Sequence, residues 1–569
     1  MASPHKRPNF LIVVADDLGF SDTGPYGSEI ATPVLDRLAA DGTMFTDFHT
    51  APACSPTRAM LMSGTDNHIA GIGAMWEQMR GFPDIYQDKP GYEGYLNFQV
   101  AALPEVLQDA GYLTLMSGKW HLGMKKEVAP CARGFDKSFV YLAGAGNHYA
   151  KEPQLDEGIP RLPMLCGDGL YMKGDQFLDR QADLPTDFYS SKSFVDEMLG
   201  FLKGRSVKDK ERPFFGYLAF TAPHWPLQAP KDTIAKYSGF YDDGPDALRL
   251  RRLQALVQRG LVPADAEAAP VQRSLKAWDD MPFLDKDWAD MTHDEQAKSS
   301  RLMEIYAAMV DEMDQNLGRV VSYLESSGEL DNTFILFMSD NGAEGALLEA
   351  LPILNGHSIA EVIEQHYDNN MANLGEANSF GWYGPQWASA ATAPSRAFKG
   401  FTTEGGIRCP CIVRYPPLAT APSTVSHAFT TVMDIMPTVL DLAEVAPPVS
   451  PFRARDIVPM RGKSWAAHLA NPGAETPHSA EQDCANWELF GCRAVRQGPW
   501  KAVFMYPPKG SGEWELYNLN TDPGETCDLA TVEPDRLKQL MLQYEAYEQD
   551  AGVFDGYLAI QQSRAKNKE

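Results

Sequence analysis

The sequence predicts an α/β fold: a large, mostly parallel mixed sheet sandwiched by helices, followed by a smaller C-terminal α+β domain. Three observations predict it. Short apolar runs alternate with amphipathic helical segments along most of the chain. The runs are continuous rather than alternating, as strands buried on both faces require. Four strand ends deliver charged or titratable residues, and open parallel sheets hold their ligands at the carboxyl ends of their strands.

The first run, Phe10–Ala15, ends in Asp16-Asp17. A basic start before an apolar run raises a signal peptide, but the run is too short for an h-region and no A-x-A site follows. It reads as the first core strand. Thr32-Pro33 supply an N-cap and a first-turn proline, and Val34–Ala40 is a short helix closed by Gly42. Leu103–Ala110 repeats this design with Pro104 and Gly111, and Tyr112–Met116 is the next strand, leading to Lys119 and His121. Ser193–Leu202 is a helix, and Pro213–Thr221 a strand that precedes His224. Leu302–Leu324 is a long helix, and Thr333–Ser339 a strand that ends in Asp340-Asn341. Ile407–Tyr415 reads as a strand after Lys399 and a Gly-Gly turn.

The large domain is expected over 1–450, with a helical surface insertion at about 239–298. Residues 355–393, rich in aromatic and polar side chains, read as a long ordered excursion near a site. Pro447–Arg461 reads as a linker, and 451–569 as a small domain of two or three antiparallel strands and a helix near Pro534–Asp550.

Composition narrows the partners. A net charge of −26 disfavours nucleic acid and anionic membrane surfaces, and favours a monomer. An anionic substrate would need a local cluster of cations. Eight cysteines in 569 residues, with no CxxC pair, do not make a disulfide scaffold. Cys409 and Cys411 read as two small buried residues of a strand. No run reaches the roughly 18 apolar residues of a spanning helix. A cytoplasmic protein is expected, with the periplasm as the alternative.

The strand ends have two readings each. Asp16, Asp17, Asp340 and Asn341 offer hard oxygen donors for Ca²⁺ or Mg²⁺, provided that the first strand and Thr333–Ser339 are neighbours; turn formation by Asp and Asn is the other reading. Lys119 and His121 would face one side and Trp120 the other. They suit an anionic substrate that needs proton transfer, or a solvated strand end. His224, stiffened by flanking prolines, reads as a general acid or a satisfied buried histidine. Lys399 is a second cation or an ordinary loop lysine. Cys54 opens a helix, where unpaired N–H groups and the dipole favour an anion. A phosphatase loop would need Arg at the position of Met60, and nothing nearby supports a Cys–His protease.

Cys54-x-Pro56-x-Arg58, with the helix ending at Ser63-Gly64, and Gly118-Lys119-Trp120-His121-Leu122-Gly123 together resemble the type I sulfatase family of the alkaline-phosphatase superfamily, close to its bacterial arylsulfatases. The resemblance extends through RPNFLIVVADDLGFSD, EIATP, TAPHWPLQAP, DNTFILFMSDNGAEGALLEA and ELYNLNTDPGE. It implies that Cys54 is oxidised to formylglycine by a maturation enzyme that reads Pro56 and Arg58. It implies that Arg58 holds the hydrated aldehyde, and that Asp16, Asp17, Asp340 and Asn341 bind one Ca²⁺, with Mg²⁺ the lesser choice. Lys119, Lys399, His121 and His224 would bind or protonate a sulfate ester. Asp340 would also take the nucleophile's proton, His224 would protonate the leaving group, and His121 would help expel sulfate. The implied reaction is aryl sulfate hydrolysis. Alkyl sulfate preference, phosphonate or phosphodiester hydrolysis, and Ca²⁺-dependent binding of sulfated ligands without catalysis are the alternatives. Trp382, Tyr383, Trp387, His148 and Tyr149 are candidates to line the leaving-group pocket, with core or surface roles as the alternative.

Overall fold

A computed structural model describes residues 6–156, 169–273, 281–350, 359–418, 423–471 and 476–566. Cys166, positions 274–280 of the expected insertion and 355–358 of the expected excursion lie outside the described residues.

The strands begin with β1 (Asn9–Ala15), β2 (Thr43–Phe45), β3 (Phe48–His49), β4 (Leu113–Lys119), β5 (Lys137–Tyr141), β6 (Tyr171–Lys173) and β7 (Gln176–Leu178). Then come β8 (Phe214–Ala219), β9 (Thr333–Ser339), β10 (Cys411–Arg414), β11 (Thr424–Ser426) and β12 (Thr430–Thr431). The C-terminal part holds β13 (Cys484–Leu489), β14 (Cys492–Gln497), β15 (Trp500–Met505) and β16 (Trp514–Asn518).

Ten strands form one sheet in the order β11-β2-β10-β9-β1-β8-β4-β5-β6-β7. Its centre, from β9 to β5, is parallel. β10, β6 and β7 run antiparallel to their neighbours on the two sides. β1 shows why its sequence is a continuous apolar run. Leu11, Val13 and Ala15 pack into one core and Phe10, Ile12 and Val14 into the other, so no position faces water. The first core takes the helices Pro33–Ala40, Ser190–Lys203 and His293–Ser326; the second takes Cys54–Ser63, Leu103–Asp109 and Ile435–Leu442.

Several boundaries differ from expectation, for local reasons. The long helix begins at His293 because Thr292 and Glu295 form a capping box, which a polar first turn hid from an apolar-periodicity reading. Thr32 does not cap its helix; its hydroxyl accepts from the Gly24 N–H, and the Val34 and Leu35 N–H groups donate to Asp314 instead. The expected strand 407–415 starts only at Cys411, since Glu404–Ile407 is a short helical turn. The span 239–298 is not only surface. In its helix Pro245–Gln258, Leu248 and Leu256 enter the main core, and the buried Arg252 pairs with Asp22 and Glu29. Pro447–Arg461 is no free linker either: Phe452, Ile457, Val458 and Met460 pack on the second core.

The small sheet has four strands, β13-β14-β15-β16, all antiparallel. One face is covered by the helix Pro534–Ala551, while Trp487, Ala494 and Val503 on the other join the core of the large sheet. Charge reinforces this junction. His68, on a loop of the large unit, places Nδ1 2.9 Å from Asp66 and Nε2 3.2 Å from Glu488 of β13. The Tyr547 hydroxyl donates to Asp66 at 3.0 Å.

Burial works against a charged His68, but hydrogen bonds to Asp66 and Glu488 outweigh it and push its pKa up to about 9 from 6.5. A folded-state pKa above the unfolded one gives stability that is complete below pH 6.5 and is lost as pH rises through about 9. The contribution is on the order of 3 kcal/mol. Urea unfolding of the wild type and His68→Gln should therefore show a stability gap that is widest near pH 6.5 and shrinks toward pH 9.5. Parallel pH slopes in the two proteins would contradict this.

Candidate active site

The site begins at the pairing of β1 with β9. Their parallel register runs from Asn9–Thr333 to Ala15–Ser339, so the next residues, Asp16 and Asp340, emerge side by side. The Asp340 N–H donates to the Ala15 carbonyl at 3.1 Å, and the Asp17 N–H to Asp340 Oδ1 at 3.2 Å. Asp17 sits at φ 67°, which turns its carboxylate away from the strand line. Asn341 Nδ2 donates to Asp17 Oδ1 at 2.7 Å, while Asn341 Oδ1 is buried with no hydrogen-bond partner among the described residues.

Three cations answer these carboxylates. Arg58, one turn after Cys54 on the same helix, donates from Nε and Nη2 to Asp340 Oδ2 at 2.9 and 2.7 Å, and from Nη1 to the Lys119 carbonyl at 3.0 Å. Lys119, the last residue of β4, donates to both oxygens of Asp16 at 2.8 and 2.7 Å. Lys399 lies 2.9 Å from Asp17 and 3.1 Å from Glu344. Burial alone would discharge both lysines, but Asp16 holds Lys119 above its ordinary pKa, and Asp17 with Glu344 holds Lys399 well above it.

Cys54 opens the helix Cys54–Ser63, which closes at Gly64 in the left-handed region, φ 64°. The approach is fixed by Thr57, whose hydroxyl accepts from the Ala51 N–H at 2.9 Å. Cys54 Sγ lies 3.2 Å from His121 Nδ1, and His121 Nε2 lies 3.1 Å from Glu77. Burial raises a thiol, yet Lys119, His121 and Lys399 together bring Cys54 down to about 7. Burial lowers an imidazole, yet the facing thiolate and Glu77 bring His121 up to about 9. His121 does not reach the site by strand alternation. β4 ends at Lys119, Trp120 turns into the core with its indole N–H on the Val128 carbonyl, and His121 takes φ 54°.

His224 donates from Nδ1 to the Trp225 carbonyl at 2.6 Å, leaving Nε2 3.3 Å from Asp17. Burial, reinforced by Lys399 and Lys119, holds it well below the usual histidine range. His148 is not a pocket wall. Its Nε2 donates to the His224 carbonyl at 2.9 Å and its Nδ1 accepts from Ser190, so it braces the loop from behind as a neutral ring, with a pKa of about 4 set by burial. The other aromatic candidates have packing partners of their own. Trp387 is buried with its N–H on Ser299, Tyr383 stacks on Tyr306 at 4.8 Å, Trp382 joins a cluster with Phe380, and Tyr149 packs on Tyr189. A small recess beside His121 is walled instead by Ile72, Trp76, Met124 and Leu142, with Glu77 and Ser55.

The structure thus brings together Asp16, Asp17, Cys54, Arg58, Lys119, His121, His224, Asp340, Asn341 and Lys399. It adds Glu77 and Glu344, which sequence reasoning missed. Glu344 had a faint signal, standing four residues after Asp340 in the same segment; Glu77 had none.

An open α/β sheet with buried acids, paired cations and a thiol at a helix mouth, all at its carboxyl edge, defines a hydrolase-like centre for a tetrahedral anion. The sequence matches the Sulfatase family over residues 8–445. It is 52% identical over 550 residues to an uncharacterized sulfatase of Schizosaccharomyces pombe, spanning 96% of this chain and 94% of that one. It is 33% identical over 470 residues to the arylsulfatase of Klebsiella aerogenes, spanning 82% and 93%. The crystal structure of Ps i-CgsB in complex with k-i-k-neocarrahexaose superposes with a TM-score of 0.65 at 22% identity, over 96% of this chain and 94% of that one. The chain belongs to the sulfatase family, and is a hydrolase of sulfuric esters with the alkaline-phosphatase-like fold.

The ion pairs make a sharp demand. Arg58→Met strips Asp340 of its buried partner, and breaking such a pair costs about 3–5 kcal/mol. Urea unfolding in chelator should show that loss. A loss under about 1 kcal/mol would mean that Asp340 finds other compensation.

Proposed function

We propose that the chain is an arylsulfatase, hydrolysing an aryl sulfate to a phenol and sulfate through a formylglycine made from Cys54 and one Ca²⁺. The observation that carries this is the convergence of Cys54, two lysines, two histidines and the acid set on one strand edge. The Klebsiella arylsulfatase, matched over 93% of its length, supports the aryl preference.

The donor set fits the metal. Asp16, Asp17 and Asp340 are buried hard-oxygen ligands, and Asn341 Oδ1 is an acceptor with no donor among the described residues. These four residues would hold Ca²⁺; when bound, it would polarise sulfate oxygens and favour deprotonation of the attacking hydroxyl. The hydrated aldehyde would supply that hydroxyl and a later route for sulfate to leave by C–O cleavage.

The chain's own residues do the rest. Arg58 fixes Asp340 and the first helical turn together. Lys119 and Lys399, now on Asp16 and Asp17, are the ammonium groups available to the equatorial sulfate oxygens. Asp340 takes the nucleophile's proton. His224 starts neutral, so it acts as leaving-group acid only once the ester's negative charge offsets the two lysines. His121, at Cys54 and oriented by Glu77, handles the second hydroxyl proton.

Peptide mass analysis of residues 50–65 should show Cys54 lighter by about 18 Da, the loss of H₂S and gain of O that makes the aldehyde. Cys54→Ala should abolish turnover of nitrophenyl sulfate while the unfolding midpoint stays put. An unmodified thiol throughout active enzyme would refute the aldehyde. A higher kcat/KM on nitrophenyl phosphonate than on the sulfate would replace arylsulfatase by phosphonate hydrolase.

A further inference from the structure

A cavity of about 360 Å³ lies where the C-terminal sheet meets the large domain, and it shares no lining residue with the catalytic cluster. That volume lies within the range of small-molecule sites. One wall is apolar: Leu261, Val262, Pro263, Leu519 and Pro523. The rest of the lining is polar or charged, and its charges are unevenly satisfied. Both oxygens of Asp47 accept from Arg496, with the closest contact at 2.7 Å. Glu404 accepts from Lys501 at 2.8 Å and faces His49 at 2.8 Å. Each acid of the wall is therefore already paired.

Arg408 is the exception. It is only 7% exposed, and its Nε donates to the Thr46 carbonyl at 2.7 Å. Its guanidinium lies over the Phe20 ring at 4.2 Å. Neither terminal nitrogen has a hydrogen-bond or ion-pair partner among the described residues, although Arg408 lines the cavity. The two terminal nitrogens open into the cavity, so an incoming anion would replace only water as their acceptor. Nearby capacity is complementary: His427 uses Nδ1 on the Thr46 hydroxyl at 2.8 Å, its Nε2 has no partner among the described residues, and Asn520 is an exposed amide that also lines the cavity.

We propose that this cleft binds a small organic monocarboxylate. The carboxylate sits in a two-pronged contact on Arg408, and the apolar body lies against Leu261, Val262 and Pro263. Planar guanidinium donors match a carboxylate in paired fashion. The apolar wall selects a carbon body over a bare inorganic anion. The pairing of Asp47 and Glu404 leaves no call for an amine on the ligand.

The probe is 4-bromobenzoate, soaked into crystals of the full chain, with benzoate, benzyl alcohol and inorganic sulfate titrated by calorimetry in parallel. The expected result is an anomalous bromine peak against Val262 and Leu261, with benzoate binding well above benzyl alcohol and sulfate. Arg408→Gln and Asn520→Trp, the second filling the cleft from an exposed position, should each weaken benzoate by about tenfold or more, the scale of one charge-assisted pair. A missing bromine peak, a peak only at Cys54, sulfate binding as tightly as benzoate, or unchanged affinity in both variants would each overturn the proposal.

Discussion

The structure depends on how the carboxylates at the ends of β1 and β9 are neutralised. Parallel pairing forces Asp16 and Asp340 out of the sheet side by side, with Asp17 against them, in a place without water. Isolated carboxylates cannot stay ionised there. Each cation that compensates them arrives on a different element: Arg58 on a helix, Lys119 at the end of β4, Lys399 on the segment before β10. The ion pairs therefore fix the relative positions of all three elements. The four-residue step from Cys54 to Arg58 then has a physical meaning. One helical turn puts both on one face, so the arginine that neutralises Asp340 also seats residue 54 at the mouth of the pocket.

Much of this was legible, and the reason is local. Apolar runs that end in Asp-Asp, Lys-x-His and Asp-Asn state both a strand and its chemistry within ten residues, and β1, β4, β8 and β9 fall within a few residues of their expected limits. What was less legible depends on the backbone departing from regular geometry. His121 was expected to face the site by alternation, but arrives through a left-handed residue after the strand has ended. Gly118, at φ 115°, is needed there because a Cβ would lie 1.8 Å from the Ala219 carbonyl oxygen. Glu77 stayed invisible because its partner is 44 residues away, and nothing in a short helix start marks a carboxylate as a histidine's orienter.

The aromatic residues teach a different lesson. Trp382, Tyr383 and Trp387 stand in a polar, aromatic stretch that composition alone cannot divide into lining and core. In the structure the division follows from packing partners. Tyr383 stacks on Tyr306, whose hydroxyl donates to Asp22 at 2.6 Å, and Asp22 in turn holds Arg252. That chain of contacts ties the helix Pro245–Gln258 to the loop after β1, so Tyr383 takes the core role that its sequence left open.

The acidity of the whole chain sharpens the role of the lysines. A net charge of −26 repels an anion at long range, but salt screens exposed charges over roughly 8 Å. Affinity for sulfate must then be local, and a free buried ammonium would be discharged by desolvation. Lys119 and Lys399 avoid that because Asp16, Asp17 and Glu344 keep them protonated in the resting protein. The lysines are thus already dry and charged before substrate arrives. An incoming oxyanion therefore meets ammonium groups that need neither gain a proton nor shed water to receive it, and this is how a strongly acidic protein builds an anion site.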